Sequence, residues 1–170
     1  MPSPNKIAEP ILPSFPPLLL SDFPPLPELR ASHPFDVRFS EVDAMQIVWH
    51  GAYPLYFEDA REAFGARYGL EYMTIAREGC YVPLVELTFR YLRPIRYETK
   101  CRVDIIYRPT ASAKIVFDYE IRAVDDETLL ATGHSVQAFM DRDYNLLWYK
   151  PEFFVRWEER WGIFTDRLPL

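Results

Sequence analysis

The stretch "FSEVDAMQIVWHGAYPLYFEDAREAF", residues 39–64, changes from strand-like alternation to helical spacing, and the rest of the chain is best read outward from that change. Tyr56, Phe57, Ala60, Ala63 and Phe64 recur at the spacing of one helical face. Pro54 suits a first helical turn, where its missing amide costs nothing. The pattern predicts a helix over 54–68 that weakens at Gly65 and Gly69, with Glu58 and Arg61 paired at i, i+3 on its flank. Just upstream, "FDVRFSE" (35–41) puts Phe35, Val37 and Phe39 on one side and Asp36, Arg38 and Ser40 on the other, which predicts a half-buried strand.

Between strand and helix, Asp43 stands seven residues ahead of His50. Alone, an Asp in such a connection reads as a turn former or cap. A lone His reads equally as a hydrogen-bonded residue at a helix start or as a catalytic one. The intervening "AMQIVW" is nearly all apolar and is expected to run through the interior, which leaves an acid and an imidazole flanking a buried segment. The first amides of a helix lack intrahelical partners and carry partial positive charge, so they favour a developing oxyanion. A carboxylate beside them can attack a carbonyl or deprotonate a water that does. The residues alone therefore admit acyl-transfer chemistry at the amides of His50, Gly51 and Ala52 without excluding the plain turn.

Downstream, four segments alternate. They are "VELTFRYLRP" from Val85, "KCRVDIIYRP" with Cys101, Val103, Ile105 and Tyr107 on one face, "SAKIVFDYEIRA" with Ile115, Phe117, Tyr119 and Ile121 together, and the less regular "LLATGHSVQAFMD". Strands grouped after one helix argue for an α+β fold, an antiparallel sheet with the helix against one face. "PEFFVRWEERWG" sets Phe154, Trp157 and Trp161 on one helical face, a C-terminal helical tail over 151–170. Ten of the 16 prolines fall within residues 1–34, so that segment reads as an extended arm, and its apolar residues at 15, 18, 19, 20 and 23 suggest that part of it lies in a groove on its own body or on a neighbouring subunit.

Composition limits the alternatives. A chain of 170 residues with 16% aromatics supports one packed domain, expected over 35–150. A net charge of −6 argues against nucleic acid as partner. No apolar run is long enough for a membrane helix, and the proline-broken start makes a poor secretory signal, so a cytoplasmic protein is expected. Cys80 and Cys101 read as two buried free thiols rather than a disulfide framework or metal cluster, with a bridge between them left open.

The run from Phe39 to Phe64 resembles the opening of the hotdog-fold acyl-CoA thioesterases of the 4-hydroxybenzoyl-CoA thioesterase type. That family shows Asp-x-Asp or Glu-x-Asp at a strand end, an apolar segment with an aromatic or His, a Tyr, and a helix with Phe-Phe-Glu-x-Ala-Arg. Here stand Glu41 and Asp43, then Ile47-Val48-Trp49-His50, Tyr53, and Tyr56-Phe57-Glu58-Asp59-Ala60-Arg61. The resemblance implies a curved antiparallel sheet wrapped around the helix, subunits joined edge to edge as a homodimer or homotetramer, and sites at that interface. It implies hydrolysis of an acyl-CoA or acyl-carrier-protein thioester, with no metal and no redox cofactor. Asp43 would be nucleophile or general base, the His50 amide would polarise the carbonyl, and the His50 ring would orient water or substrate. Trp49, Gly51 and Tyr53 are the expected substrate contacts. Among cations for the CoA phosphates, Arg90, Arg108 and Lys114 stand out beside Arg93 and Arg96. Two departures from the family, Gln46 for a usual glycine and Ala52 for a usual asparagine, point to a reshaped loop or a narrowed acyl pocket. A non-catalytic acyl-CoA binder or scaffold, and a dehydratase of 3-hydroxyacyl thioesters, are the competing readings. His134 reads as a satisfied packing residue, and His33 as part of the arm.

Overall fold

The computed structural model describes residues 25–165. One antiparallel sheet holds β1 (Arg30–Asp36), β2 (Leu84–Tyr91), β3 (Lys100–Tyr107), β4 (Lys114–Ala123) and β5 (Leu129–Ala138) in the order β1-β3-β4-β5-β2. Helices α1 (Tyr53–Tyr68), α2 (Tyr72–Arg77) and α3 (Glu152–Arg160) complete the described chain. β3, β4 and β5 follow one another as hairpins with neighbouring registers, for example Ile105 opposite Tyr119 and Tyr119 opposite Gly133. The chain between β1 and β2 instead crosses a face of the sheet as α1, which leaves β1 and β2 as opposite edges.

Aromatic packing seats α1 on the sheet. Phe57 is fully buried, stacked on Tyr119 with centroids 4.2 Å apart and on Phe89 at 5.1 Å. Gly133 makes that approach possible, because a Cβ there would stand 2.1 Å from the Phe57 ring. Gly69 ends the helix in the left-handed conformation (φ 75°), its amide bonded to the Gly65 carbonyl, as a glycine C-cap should. The pair of Glu58 and Arg61 is present, with the Glu58 carboxylate half-exposed. Arg61 is buried, donating to the hydroxyls of Tyr72 (2.9 Å) and Tyr119 (3.0 Å), and Tyr119 meets Ser135 at 2.7 Å. A guanidinium that close to the sheet is tolerated because its donors are matched by oxygen acceptors.

The first strand lies earlier than expected. β1 covers Arg30–Asp36, while Phe39–Glu41 form a 3-10 turn. Pro34 is accommodated since β1 pairs only with β3, and an edge strand can spare an amide. The alternation breaks at residue 39 because Glu41 turns inward, accepting from the Tyr56 hydroxyl at 2.7 Å and the Arg38 amide at 2.9 Å. Phe39 is left 79% exposed. His33 accordingly sits in the sheet opposite Val103 rather than in an arm. His134 is satisfied, 2.7 Å from Asp118, yet lies half-exposed rather than packed in the core.

Phe154 and Trp157 of α3 bury within the subunit, stacked on each other at 5.3 Å and edge-on to Tyr107. The indole N–H groups of Trp157 and Trp161 both donate to the Tyr68 carbonyl, at 2.8 and 3.2 Å. Glu158 is buried, bound by Lys150 Nζ at 2.6 Å and the Tyr107 hydroxyl at 2.7 Å. Both cysteines are free and buried. No helix among the described residues is long and apolar enough to cross a membrane. The apolar positions of the arm, 15 to 23, lie outside the described residues.

Candidate active site

The segment after Glu41 closes as a tight hairpin. The Asp43 amide donates to Ile47 (2.9 Å), the Gln46 amide to Asp43 (2.9 Å), and Val48 pairs across to Val42. A turn so satisfied by its own backbone needs no burial. The expectation that 44–49 runs through the interior is therefore corrected. Only Val48 is buried, whereas Met45 is 71% and Trp49 44% exposed. Gln46 takes φ 63°, the left-handed conformation natural to glycine, so the missing glycine leaves the turn geometry in place and places the strain on Gln46. One Asp43 oxygen, Oδ1, accepts from the Met45 amide at 2.8 Å. Among the described residues Oδ2 takes no hydrogen bond, which leaves it for a ligand.

Seven residues on, His50–Ala52 form a 3-10 turn that runs directly into α1. The Ala52 amide closes that turn on the Trp49 carbonyl at 3.0 Å, so the amides of His50 and Gly51 stand ahead of the first closed turn. Pro54 contributes no amide beyond them. The Tyr91 hydroxyl, from the end of β2, donates to the His50 carbonyl at 3.3 Å and ties the helix mouth to the sheet edge. The Trp49 indole lies over Gly51, where a Cβ would come within 2.1 Å of the ring, and it meets the His50 ring edge-on at 5.5 Å.

A cavity of about 320 Å³ opens between these parts. Its polar lining is Asp43, His50, Tyr53, Tyr91 and Arg93, and its apolar lining includes Met45, Ile47 and Leu92. The Tyr53 ring sits edge-on to Tyr91 at 4.8 Å. Burial, with Tyr91 as a second cause, pushes the Tyr53 hydroxyl up to about 12, so it is neutral across the physiological range. The arrangement combines a carboxylate with an open oxygen, a helix mouth and an apolar wall, which suits attack on an acyl carbonyl.

Of the residues named from sequence, Asp43, His50 and Tyr53 line this one cavity, and Trp49 and Gly51 form the mouth beside it. Arg90, Arg108 and Lys114 do not line it. Arg90 is exposed on the edge strand β2, Lys114 is exposed at the start of β4, and Arg108 is engaged by Asp118 at 2.6 Å and Glu28 at 3.9 Å. Of the wider set of cations, Arg93 is the one on the cavity wall. Tyr91 was read only as part of an alternating strand. Its place two residues beyond Phe89 and next to "LRP", where β2 must leave the sheet, is the signal that could have found it.

The sequence matches the family described as "Thioesterase-like superfamily" over residues 37–157. It is 27% identical over 108 residues to the acyl-acyl carrier protein thioesterase ATL3, chloroplastic, of Arabidopsis thaliana, which covers 64% of this chain and 57% of that protein. It is 29% identical over 86 residues to a putative acyl-CoA thioesterase, YneP, of Bacillus subtilis (strain 168), covering 51% of this chain and 62% of the relative. The chain thus spans less than two thirds of the length of either. In structure it is similar to a DHNA-CoA thioesterase from Staphylococcus aureus, with a TM-score of 0.70, 24% identity, and 78% of this chain and 89% of that one covered. It is also similar to a 4-hydroxybenzoyl-CoA thioesterase solved with 4-hydroxybenzoyl-CoA, with a TM-score of 0.66, 14% identity, and coverage of 76% and 98%. The antiparallel sheet against a central helix is the hotdog fold that the opening motif implied. By the match across 37–157, the chain belongs to the thioesterase-like superfamily.

Proposed function

We propose that this protein hydrolyses an acyl thioester, of coenzyme A or of an acyl carrier protein, to the free acid and the thiol. The observation that carries the reading is the shared cavity, lined both by Asp43 and by His50 at the start of the helix mouth. The thioester carbonyl oxygen would lie against the His50 and Gly51 amides, which gain strength as charge develops on it. Asp43 Oδ2 would then either attack the carbonyl carbon, giving an acyl-Asp43 anhydride that water cleaves, or take a proton from the attacking water. In both routes the C–S bond breaks, the thiolate leaves, and water supplies the oxygen and protons of the products. The chemistry needs no metal and no redox group. The His50 ring, at the same mouth, would orient the water.

The partner that completes the site is a second copy. β2 is an edge strand with one face half-buried by Leu87 and Phe89 and the other exposed, and it leads into the cavity wall at Tyr91, Leu92 and Arg93. Pairing there would cover the cavity's open side and bring Arg90 of each copy to the seam. Arg93 is our first choice for a phosphate of the carrier group, since its guanidinium can bind phosphate oxygens in a fork. Free-thiol release from a panel of aliphatic and aromatic acyl-CoAs, run beside acyl carrier protein thioesters, tests the reading. Turnover of one class is the expected result. Saturable binding with no thiol release from any of them would favour a non-catalytic binder.

A further inference from the structure

On the side of the molecule formed by α3, a groove of about 510 Å³ is lined by Trp148, Tyr149, Val155 and Ile163 among others. Its rim carries Trp148 and Tyr149, 81% and 87% exposed, the two most exposed aromatic side chains of the described residues, with Val155 beside them. Among the described residues neither ring stacks on another. The floor is closed, since Lys150 and Glu158 bind each other, and Tyr107 and Thr165 take up their remaining hydrogen bonds. An occupant therefore has apolar surface to cover and no buried charge to satisfy. A surface of this kind, two upstanding aromatics over a satisfied floor, is what extended proline-rich segments dock on.

The chain carries such a segment, and its exit point adjoins the groove. Pro27 Cγ stands 3.8 Å from the place a Cβ would take on Gly162. Gly162, at φ 73°, turns the end of α3 into Ile163, which is buried and lines the groove. Leu26 and Leu29 pack on the core, which fixes that stretch to this side of the body. The sequence leading into Pro25 is "FPPLLLSDFP", Phe15–Pro24. In a polyproline conformation ten residues extend about 30 Å, at ~3.1 Å each, ample to cross a helix about 10 Å wide. A tethered segment also competes at an effective concentration in the millimolar range for short linkers, which favours its own groove over that of another copy.

We propose that Phe15–Pro24 docks in cis across α3, with its prolines and Phe23 against Trp148 and Tyr149. The test places a photo-reactive benzoylphenylalanine at Phe15 or Phe23 in the full chain, with adducts located by mass spectrometry and sized on a denaturing gel. Adducts within residues 148–165 that run at the mass of one chain are expected. They should be lost in W148S/Y149S, a variant whose changes lie at exposed positions and whose melting temperature should stay within a few degrees of the parent. A covalent dimer, adducts on other surfaces, no adduct, or adducts that persist in the double variant would each overturn the proposal.

Discussion

At the residue scale, the site depends on a few backbone conformations that its side chains do not advertise. Gln46 holds φ 63° in a turn whose hydrogen bonds place Asp43. The left-handed region costs a non-glycine residue about 1 kcal/mol, and glycine returns most of that as extra freedom in the unfolded chain. Gln46→Gly is therefore expected to leave stability unchanged or raise it by up to about 1 kcal/mol, whereas Gln46→Val should lower it by more than ~1 kcal/mol. Chemical denaturation of the two variants checks the sign. Asp43 and His50 were legible as a pair from their types and spacing, and both line the one cavity. The exposure of residues 44–46 was not legible, because Ala44 and Met45 at a hairpin tip look in sequence like interior residues. Nor was the role of Tyr91, whose hydroxyl reaches a carbonyl 41 residues away in the chain.

At the scale of elements, α1 was readable almost to the residue because its apolar stripe, its early proline and its terminal Gly69 all agree. β1 was misplaced because Pro34 argues against a strand unless that strand is an edge, and edge position is a property of the whole sheet. α3 was recognised from Phe154, Trp157 and Trp161, but its buried carboxylate was not, since Glu158 looks like surface charge in "VRWEERW". Glu158 is where α3 is fastened. Removing one partner of a buried, hydrogen-bonded pair leaves the other charge uncompensated, so Glu158→Ala should cost roughly 3–5 kcal/mol. Lys150 and the Tyr107 hydroxyl lose their acceptor together in that variant. A drop in melting temperature of several degrees checks it, and an unchanged value would mean that α3 is held by its aromatics alone.

At the scale of the whole molecule, the strand order β1-β3-β4-β5-β2 was not written in any local pattern. It follows from the chain passing over the sheet as α1, and the opening motif implied, through the family it resembles, only a curved antiparallel sheet around that helix. The packed face is rich in tyrosines, and this sets the response to alkali. Burial raises the hydroxyls of Tyr53, Tyr72, Tyr107 and Tyr119 above their ordinary range, and Tyr56 likewise by burial and by its bond to Glu41. A raised acid contributes stability that is complete below its unfolded value, near 10, and is lost as pH climbs through its folded value, about 12 for Tyr53. Melting temperature should therefore hold to about pH 10 and fall between pH 10 and 12. The buried set should ionise only as the fold is lost. Tyrosinate absorbance followed beside circular dichroism checks this, and full ionisation in a still-folded protein would contradict the account.

The central claim is that Asp43 does the chemistry of this cavity, and the most direct test is the rate of thioester hydrolysis by Asp43→Asn against the parent protein. The substitution keeps the side chain's size and its acceptor for the Met45 amide. The account predicts an unchanged melting temperature and substrate binding with a loss of roughly 10²–10⁴ in turnover, the range a positioned base supplies. Turnover within a few-fold of the parent would contradict it and move the search for the reacting group elsewhere on the cavity wall.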